Sequence, residues 1–165
     1  MLALLALAPP ARAQRDFSYA LFIEPSTAFI PYANDVPLML SAGVRVAKLH
    51  EMWLRGGYMP TGDDIRLGFG ATGYRVVLRP EKVVRPFFGG LFAGLPETCS
   101  HDSAGHPTCT KEPIFIWSAT VGLRIEPHRV VGINLSLSLG IDSYANPFGM
   151  VELGFSFAYP LRNAR

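Results

Sequence analysis

From Val131 to Asp142 the chain alternates without a break. Val131, Ile133, Leu135, Leu137, Leu139 and Ile141 fall on one face, and Gly132, Asn134, Ser136, Ser138, Gly140 and Asp142 on the other. Side chains that change face at every residue mark a β-strand, because successive Cβ atoms leave opposite sides of the pleat. Such a strand needs two surroundings, one apolar and one that accepts small polar groups. The pattern recurs upstream, where Phe115, Trp117, Ala119, Val121, Leu123 and Ile125 oppose Ser118, Thr120, Gly122, Arg124 and Glu126. It recurs again at the end, where Val151, Leu153, Phe155, Phe157 and Tyr159 oppose Glu152, Gly154, Ser156 and Ala158.

Composition narrows where such strands can live. The chain has 165 residues, so one domain is the default; it is 49% hydrophobic and only 17% charged, with 16 Gly and 14 Pro. Soluble domains carry charge on about a quarter of their residues. After the first residues no run of about 18 apolar residues occurs, which excludes a spanning helix. A membrane protein without such a run must be a closed barrel, because lipid leaves no partner for an unpaired backbone group. The net charge of +2, with no basic cluster interleaved with aromatics, gives no sign of nucleic acid as a partner.

The N-terminus reads as targeting. Leu2 to Ala8 is a short apolar core, Pro9-Pro10 follows, and Ala11-Arg12-Ala13 fits the small-x-small pattern that places cleavage between Ala13 and Gln14. A positively charged start is missing from this segment. Residues 1–13 are thus expected to be a signal peptide and 14–165 the mature barrel. Export suits the two cysteines, which would meet an oxidising compartment.

Read in order, the mature chain gives eight strands. The first runs from Phe17 to about Phe29 and the second from Leu38 to about Ala47. The segment Lys48 to Tyr58 could form a short amphipathic helix, but Gly56-Gly57 disfavours one; a tight turn at Lys48-Leu49-His50 and a strand from Glu51 to Met59 are preferred. The fourth strand, Ile65 to Arg79, starts with Ile65, Leu67 and Phe69 on its apolar face and continues with Tyr74, Val76 and Leu78 on the opposite parity. A bulge near Ala71–Gly73 would reconcile the halves. Val83 to Leu95 is the fifth strand, and a loop from Pro96 to Glu112 leads to the sixth. Pro127-His128-Arg129 turns into the seventh, and Ser143 to Gly149 leads into the last. With the N-terminus in the periplasm, the tight turns at Lys48–His50, Pro80–Lys82 and Pro127–Arg129 share one side, and the longer connections share the other. Short inner turns and longer outer loops are the pattern of bacterial barrels.

The fold class expected is therefore all-β: an eight-stranded antiparallel up-and-down transmembrane β-barrel. Its polar faces carry both signs, and Glu24, Arg45, Arg66, Arg124, Glu126, Asp142 and Glu152 are candidates to pair in the lumen. An Arg facing lipid at mid-depth would cost roughly 2–4 kcal/mol. Phe17, Tyr19, Phe115, Trp117, Phe157 and Tyr159 lie towards strand ends, where aromatic girdles belong. The competing expectation is a secreted or periplasmic lipocalin-like barrel with the same apolar face turned inward around an apolar ligand.

Little in the sequence resembles catalysis or cofactor binding. Cys99 and Cys109 lie within the longest loop, enclosing nine of its residues, and are expected to form a disulfide. The alternative reads Cys99, His101, His106 and Cys109 as zinc ligands, at a spacing unlike that of a standard finger. Gly68-Phe69-Gly70-Ala71-Thr72-Gly73 matches the letters of a dinucleotide fingerprint, but a strand follows where a helix is required. No serine sits beside a histidine on a strand at a spacing suited to a nucleophile and base. No catalytic residue, cofactor or resident metal is expected.

The last strand also resembles the C-terminal signal that outer-membrane barrels present to their assembly machinery: polar, any, Gly, any, any, aromatic, any, aromatic. Glu152, Gly154, Phe157 and Tyr159 match it, although Pro160 to Arg165 follow where many such barrels end. Over most of its mature length the chain is similar to the small eight-stranded outer-membrane β-barrels of Gram-negative bacteria. That resemblance implies residence in the bacterial outer membrane, contact with its lipid, transient contact with the barrel assembly machinery, and a monomer with a structural or surface-interaction role carried by the outer loops.

Overall fold

The computed structural model describes residues 19–31, 36–61, 65–96, 98–101, 107–110, 112–128 and 130–161. Among the described residues ten strands are formed: β1 (Tyr19–Phe29), β2 (Leu38–Val46), β3 (His50–Thr61), β4 (Ile65–Val77), β5 (Val84–Leu95), β6 (Thr98–His101), β7 (Pro107–Thr110), β8 (Ile114–His128), β9 (Val131–Asp142) and β10 (Pro147–Pro160). Eight of them close into a barrel in the order β1-β10-β9-β8-β5-β4-β3-β2, and β6 and β7 form a separate two-stranded ribbon between β5 and β8. Every barrel pairing is antiparallel, and β10 closes against β1 from Ala20↔Pro160 to Phe29↔Val151. Closure leaves the barrel itself without an edge strand, so its backbone groups pair with neighbouring strands on both sides over most of their length.

Local chemistry explains the turns. Between β2 and β3, Ala47 and Lys48 both take left-handed backbone (φ 51° and 64°), and the amide of Leu49 donates to the Val46 carbonyl at 3.3 Å. That is the mirror-image turn whose twist matches a hairpin. Between β4 and β5, Arg79 is left-handed (φ 50°) and its carbonyl accepts from Lys82. After β9, the Asp142 carboxylate accepts from the amides of Tyr144 and Asn146 at 2.9 and 2.8 Å, holding a turn with Ala145 at φ 63°. The turns 47–49 and 78–83 share one end of the barrel with Tyr19 and Leu161, whose amide donates to the Tyr19 carbonyl. At the other end, by the parity of the strands, lie the connections 30–37 and 96–113, longer than either of these turns, and 62–64 and 143–146, which are as short as the turns themselves.

Four expectations are corrected. No bulge interrupts β4: its register to β3 runs unbroken from Ile65↔Thr61 to Val76↔His50, so Phe69 and Ala71 point into the lumen and Tyr74 points out. The register shift sits instead between Ile125 and His128, where β8 meets β9. Asp142 caps its turn rather than joining a luminal pair. Finally, β10 begins at Pro147, and the loop after β5 carries the β6–β7 ribbon. The segment 50–61 is a strand and not a helix. Phe17, and the proposed cleavage point at Ala13 and Gln14, lie outside the described residues.

The faces are turned with the apolar side outward. Leu21, Ile23, Leu40, Leu54, Val121, Leu135, Leu139, Leu153 and Phe155 are exposed on the wall, Leu54 by 70% and Leu139 by 59%. Inside lie Glu24, Glu51, Arg124, Ser41 and Ser138, each buried. Leaving this wall in water would forgo about 25 cal/mol for every Å² of apolar surface, whereas lipid is a matched solvent for it. A lipocalin-like inward apolar face is the opposite of this arrangement.

Large inward side chains fit because glycines face them across the ladder. Phe22 lies over Gly43, Trp53 over Gly73, Phe69 over Gly57 and Phe87 over Gly122, and each pair is directly opposed in register. A Cβ at Gly73 would run into the Trp53 indole, and one at Gly122 into the Phe87 ring. Aromatic rings over cross-strand glycines fill an eight-stranded lumen without widening it.

Candidate functional site

The lumen is built in two layers. Near the turn end, six strands deliver carboxylates and guanidiniums to one height. Counting back from the turn at Ala47-Lys48 places Arg45 opposite Glu51, and the unbroken β3–β4 register places Glu51 opposite Arg75. Arg124 arrives from β8 on the far wall. Glu51, with no exposed surface, accepts from Arg45 Nε at 2.6 Å, from Arg124 Nη2 at 2.9 Å, and from Arg75 Nε. Arg45 Nη2 also donates to Glu126 at 2.8 Å, Arg75 Nη2 donates to Glu24 at 2.7 Å, and Arg85 pairs with Glu126. Arg124 Nε donates to Asn134 Oδ1 at 2.6 Å. Higher up, Arg55 grips Glu152 with two bonds of 2.8 and 2.7 Å, donates to Ser41 at 2.8 Å, and stacks 4.5 Å above the Trp53 ring.

Among the described residues these five arginines face four glutamates, an excess of one positive charge. A guanidinium offers five N–H donors in a planar fork, so one arginine can bridge two carboxylates on different strands. Charges withdrawn from water cost several kcal/mol each unless they are paired and hydrogen-bonded, and this network pairs them. The network ties β1, β2, β3, β4, β5 and β8 to one another across the lumen and leaves its charged heads bonded to each other. Its chemistry is cohesive. Nothing in it sets a nucleophile beside a base.

The second layer, towards the loop end, is apolar. Ile30, Met39, Leu91 and Met150 are buried there, with Phe69, Ala71 and Phe148 packed against them.

The sequence reading placed Glu24, Arg45, Arg124, Glu126 and Glu152 in the lumen, and the structure brings them together there. It did not place Glu51, Arg55, Arg75 or Arg85. The first two lay in the segment whose strand character was in doubt, Arg75 fell on the face opposite Tyr74 and Val76 but was not counted among the luminal charges, and Arg85 sits in a strand with aromatics and glycines on both faces. A count outward from the Ala47-Lys48 turn would have found the Arg45–Glu51–Arg75 row. The side chain of Arg66 lies outside the described residues.

Of the residues matched to an assembly signal in the sequence, Glu152 and Gly154 face the lumen, Glu152 holding Arg55 and Gly154 lying beside Ser26 and Glu24; Phe157 and Tyr159 face outward. In the ribbon, the backbone register sets Cys99 directly opposite Cys109. His106 and Asp102 lie outside the described residues. Among the described residues no three of His, Cys, Asp and Glu gather as metal ligands. Two side-chain pairs mark the rims. His50 Nδ1 meets the Tyr74 hydroxyl at the turn end, and the Tyr144 hydroxyl donates to Glu112 at 3.2 Å at the loop end. That hydrogen bond, with the charge of Glu112, pushes the Tyr144 phenol above its ordinary value.

No protein-family model matches the sequence, and no curated protein matches it. Solved structures do. The N-terminal β-barrel domain of Pseudomonas aeruginosa OprF superposes with a TM-score of 0.70 at 16% identity, over 85% of this chain and 97% of that one. Neisserial surface protein A gives a TM-score of 0.61 at 10% identity, over 86% and 96%. A barrel from a de novo design of transmembrane β-barrels gives 0.59 at 11%, over 88% and 98%. A designed barrel fits about as well as a natural one, so the likeness lies in architecture. Apolar wall, ion-paired lumen, full closure and these neighbours define the class: a membrane-spanning eight-stranded β-barrel with the fold of the bacterial outer-membrane proteins.

Proposed function

We propose that the protein is a monomeric, non-enzymatic anchor of the bacterial outer membrane, sealed through its lumen and presenting its outer loops to the surroundings. The observation that carries this reading is the Glu51-centred network, because charged heads bonded to one another across the lumen fill the space that a water path would need. The most extended presented element is the connection between β5 and β8, which carries the β6–β7 ribbon. We infer a Cys99–Cys109 disulfide there; the facing register supports it, and a bridge would stabilise the loop by roughly 2–4 kcal/mol. Cleavage after Ala13, exposing Gln14, and delivery by the barrel assembly machinery through Glu152, Gly154, Phe157 and Tyr159 complete the reading.

The test is electrical. The mature chain from Gln14, folded into a planar lipid bilayer, is expected to add no stepwise conductance, while protease added outside intact cells cuts between Pro96 and Glu112. Reproducible unit steps would replace the sealed anchor with a channel. A protected loop would reverse the orientation.

A further inference from the structure

The two ends of the barrel carry opposite charge. Of the segments at the turn end, 47–49 holds Lys48, 78–83 holds Arg79 and Lys82, 129–130 holds Arg129, and the chain after β10 holds Arg162 and Arg165. Glu81 is the one carboxylate in these segments, and Arg15 and Asp16 before β1 cancel. The connections at the loop end reverse the sign: 30–37 holds Asp35, 62–64 holds Asp63 and Asp64, and 96–113 holds Glu97, Asp102 and Glu112 against Lys111. The luminal charges are bonded to one another between the two ends and do not account for the difference. Every connection at the turn end brings a cation, so the positive charge is spread around the rim rather than gathered on one side.

Depth decides what such a rim meets. Tyr19, Tyr74 and Tyr159 are exposed on the outer wall near this end, where amphipathic rings mark the headgroup level of a bilayer. Tyr19 faces Val46 in register, and Lys48 follows Val46 by two residues, roughly 7 Å along the chain. Arg79 and Lys82 are exposed in the next turn, directly beyond Leu78 and Val83, whose apolar side chains still belong to the exposed wall. The last apolar residues of the wall and the first cations are thus sequence neighbours. That puts the cations at the level of lipid phosphates, within the roughly 8 Å over which charges act at physiological salt. A cation at that level gains about 1 kcal/mol from an anionic surface, which is about fivefold in local lipid concentration. We propose that the turn-end rim is a binding surface for anionic phospholipid headgroups of the phosphatidylglycerol kind, and that the acidic loop end excludes them. The barrel then meets the two leaflets with opposite preferences. The inference goes beyond the sealed anchor and stands whether or not the lumen conducts.

The test reads the two ends separately. The mature chain from Gln14, in phosphatidylcholine nanodiscs, receives a trace of phosphatidylglycerol or of phosphatidylcholine bearing the same nitroxide on the acyl chain beside the headgroup. Paramagnetic relaxation of backbone amides then reports which lipid gathers where. At Leu49 and Lys82 the labelled phosphatidylglycerol is expected to act about fivefold more strongly than labelled phosphatidylcholine, and at Tyr144 and Asn146 no more strongly. The excess should vanish at about 1 M salt, where the screening length falls to roughly 3 Å. Arg79→Gln with Lys82→Gln should remove most of it at Lys82, whereas Glu81→Gln should increase it, a reversal of sign that a disturbed fold does not produce. Equal action of the two lipids at Leu49 and Lys82, an equal excess at both ends, or an excess that survives high salt would each overturn the assignment, and all three are read on the wild-type protein.

Discussion

Glu51→Gln is the sharpest probe of the luminal network. Glu51 is fully buried and binds Arg45, Arg75 and Arg124, each from a different strand. Glutamine keeps the shape and one acceptor oxygen but removes the charge, raising the luminal excess from one positive charge to two. Removing one partner of a buried ion pair costs about 3–5 kcal/mol. Here the other carboxylates, Glu24 and Glu126, still hold parts of Arg75 and Arg45, so the low end, about 3 kcal/mol, is expected. With a urea slope of roughly 2 kcal/mol/M, the unfolding midpoint in lipid vesicles should fall by about 1.5 M. Arg124→Met, which strips the partner from the far wall, should cost a similar amount alone. The double variant removes a charge of each sign and should lose less than the sum of the two, with a coupling of about 2 kcal/mol. Reversible urea titrations of the four proteins, followed by tryptophan fluorescence, decide it. A loss below about 1 kcal/mol for Glu51→Gln, or strict additivity, would mean that water solvates these charges and that the network does not seal the lumen.

Three further outcomes follow from the geometry. Leu137→Arg puts a charge on the lipid face near mid-strand and should reduce stability by roughly 2–4 kcal/mol and block insertion, with Ser138→Arg milder because that residue faces the lumen; equal membrane retention of Leu137→Arg and wild type would refute the assignment of faces. Gly73→Leu drives a side chain into the Trp53 indole and should abolish the heat-modifiable band, and Gly73→Leu with Trp53→Ala should recover part of it; a folded single variant would show that the lumen has room to spare. Lys48→Gly relieves a left-handed residue and should raise stability by up to about 1 kcal/mol in the same urea titration, while a decrease would mean that the Lys48 side chain matters more than its backbone.

The outward half of this protein was readable because it is local. Leu135, Leu137 and Leu139 on one face and Ser136 and Ser138 on the other follow from the pleat alone, whatever the partners. Where alternation was clean, as in β8, β9 and β10, the strands fell close to where the sequence put them. Where it failed, the reason was an aromatic whose surroundings could not be seen. Phe69 looked lipid-facing because it is large and apolar, yet it lies inward over Gly57. The glycine that makes room for it is on another strand.

Which side of the sheet faces an apolar solvent was left to the structure, but sequence by itself determined that the chain alternates, lacks a helical span, and needs a closed sheet. Those are properties of a residue and its nearest neighbours, fixed by backbone geometry and by the cost of unpaired amides in lipid. Tertiary structure decided which charges meet. Arg55 and Glu152 lie 97 residues apart and Arg124 and Glu51 lie 73 apart, and they touch only because register, closure and a filled lumen bring them to one height. A pairing carried across the lumen depends on every register between its strands, and no stretch of sequence holds that sum.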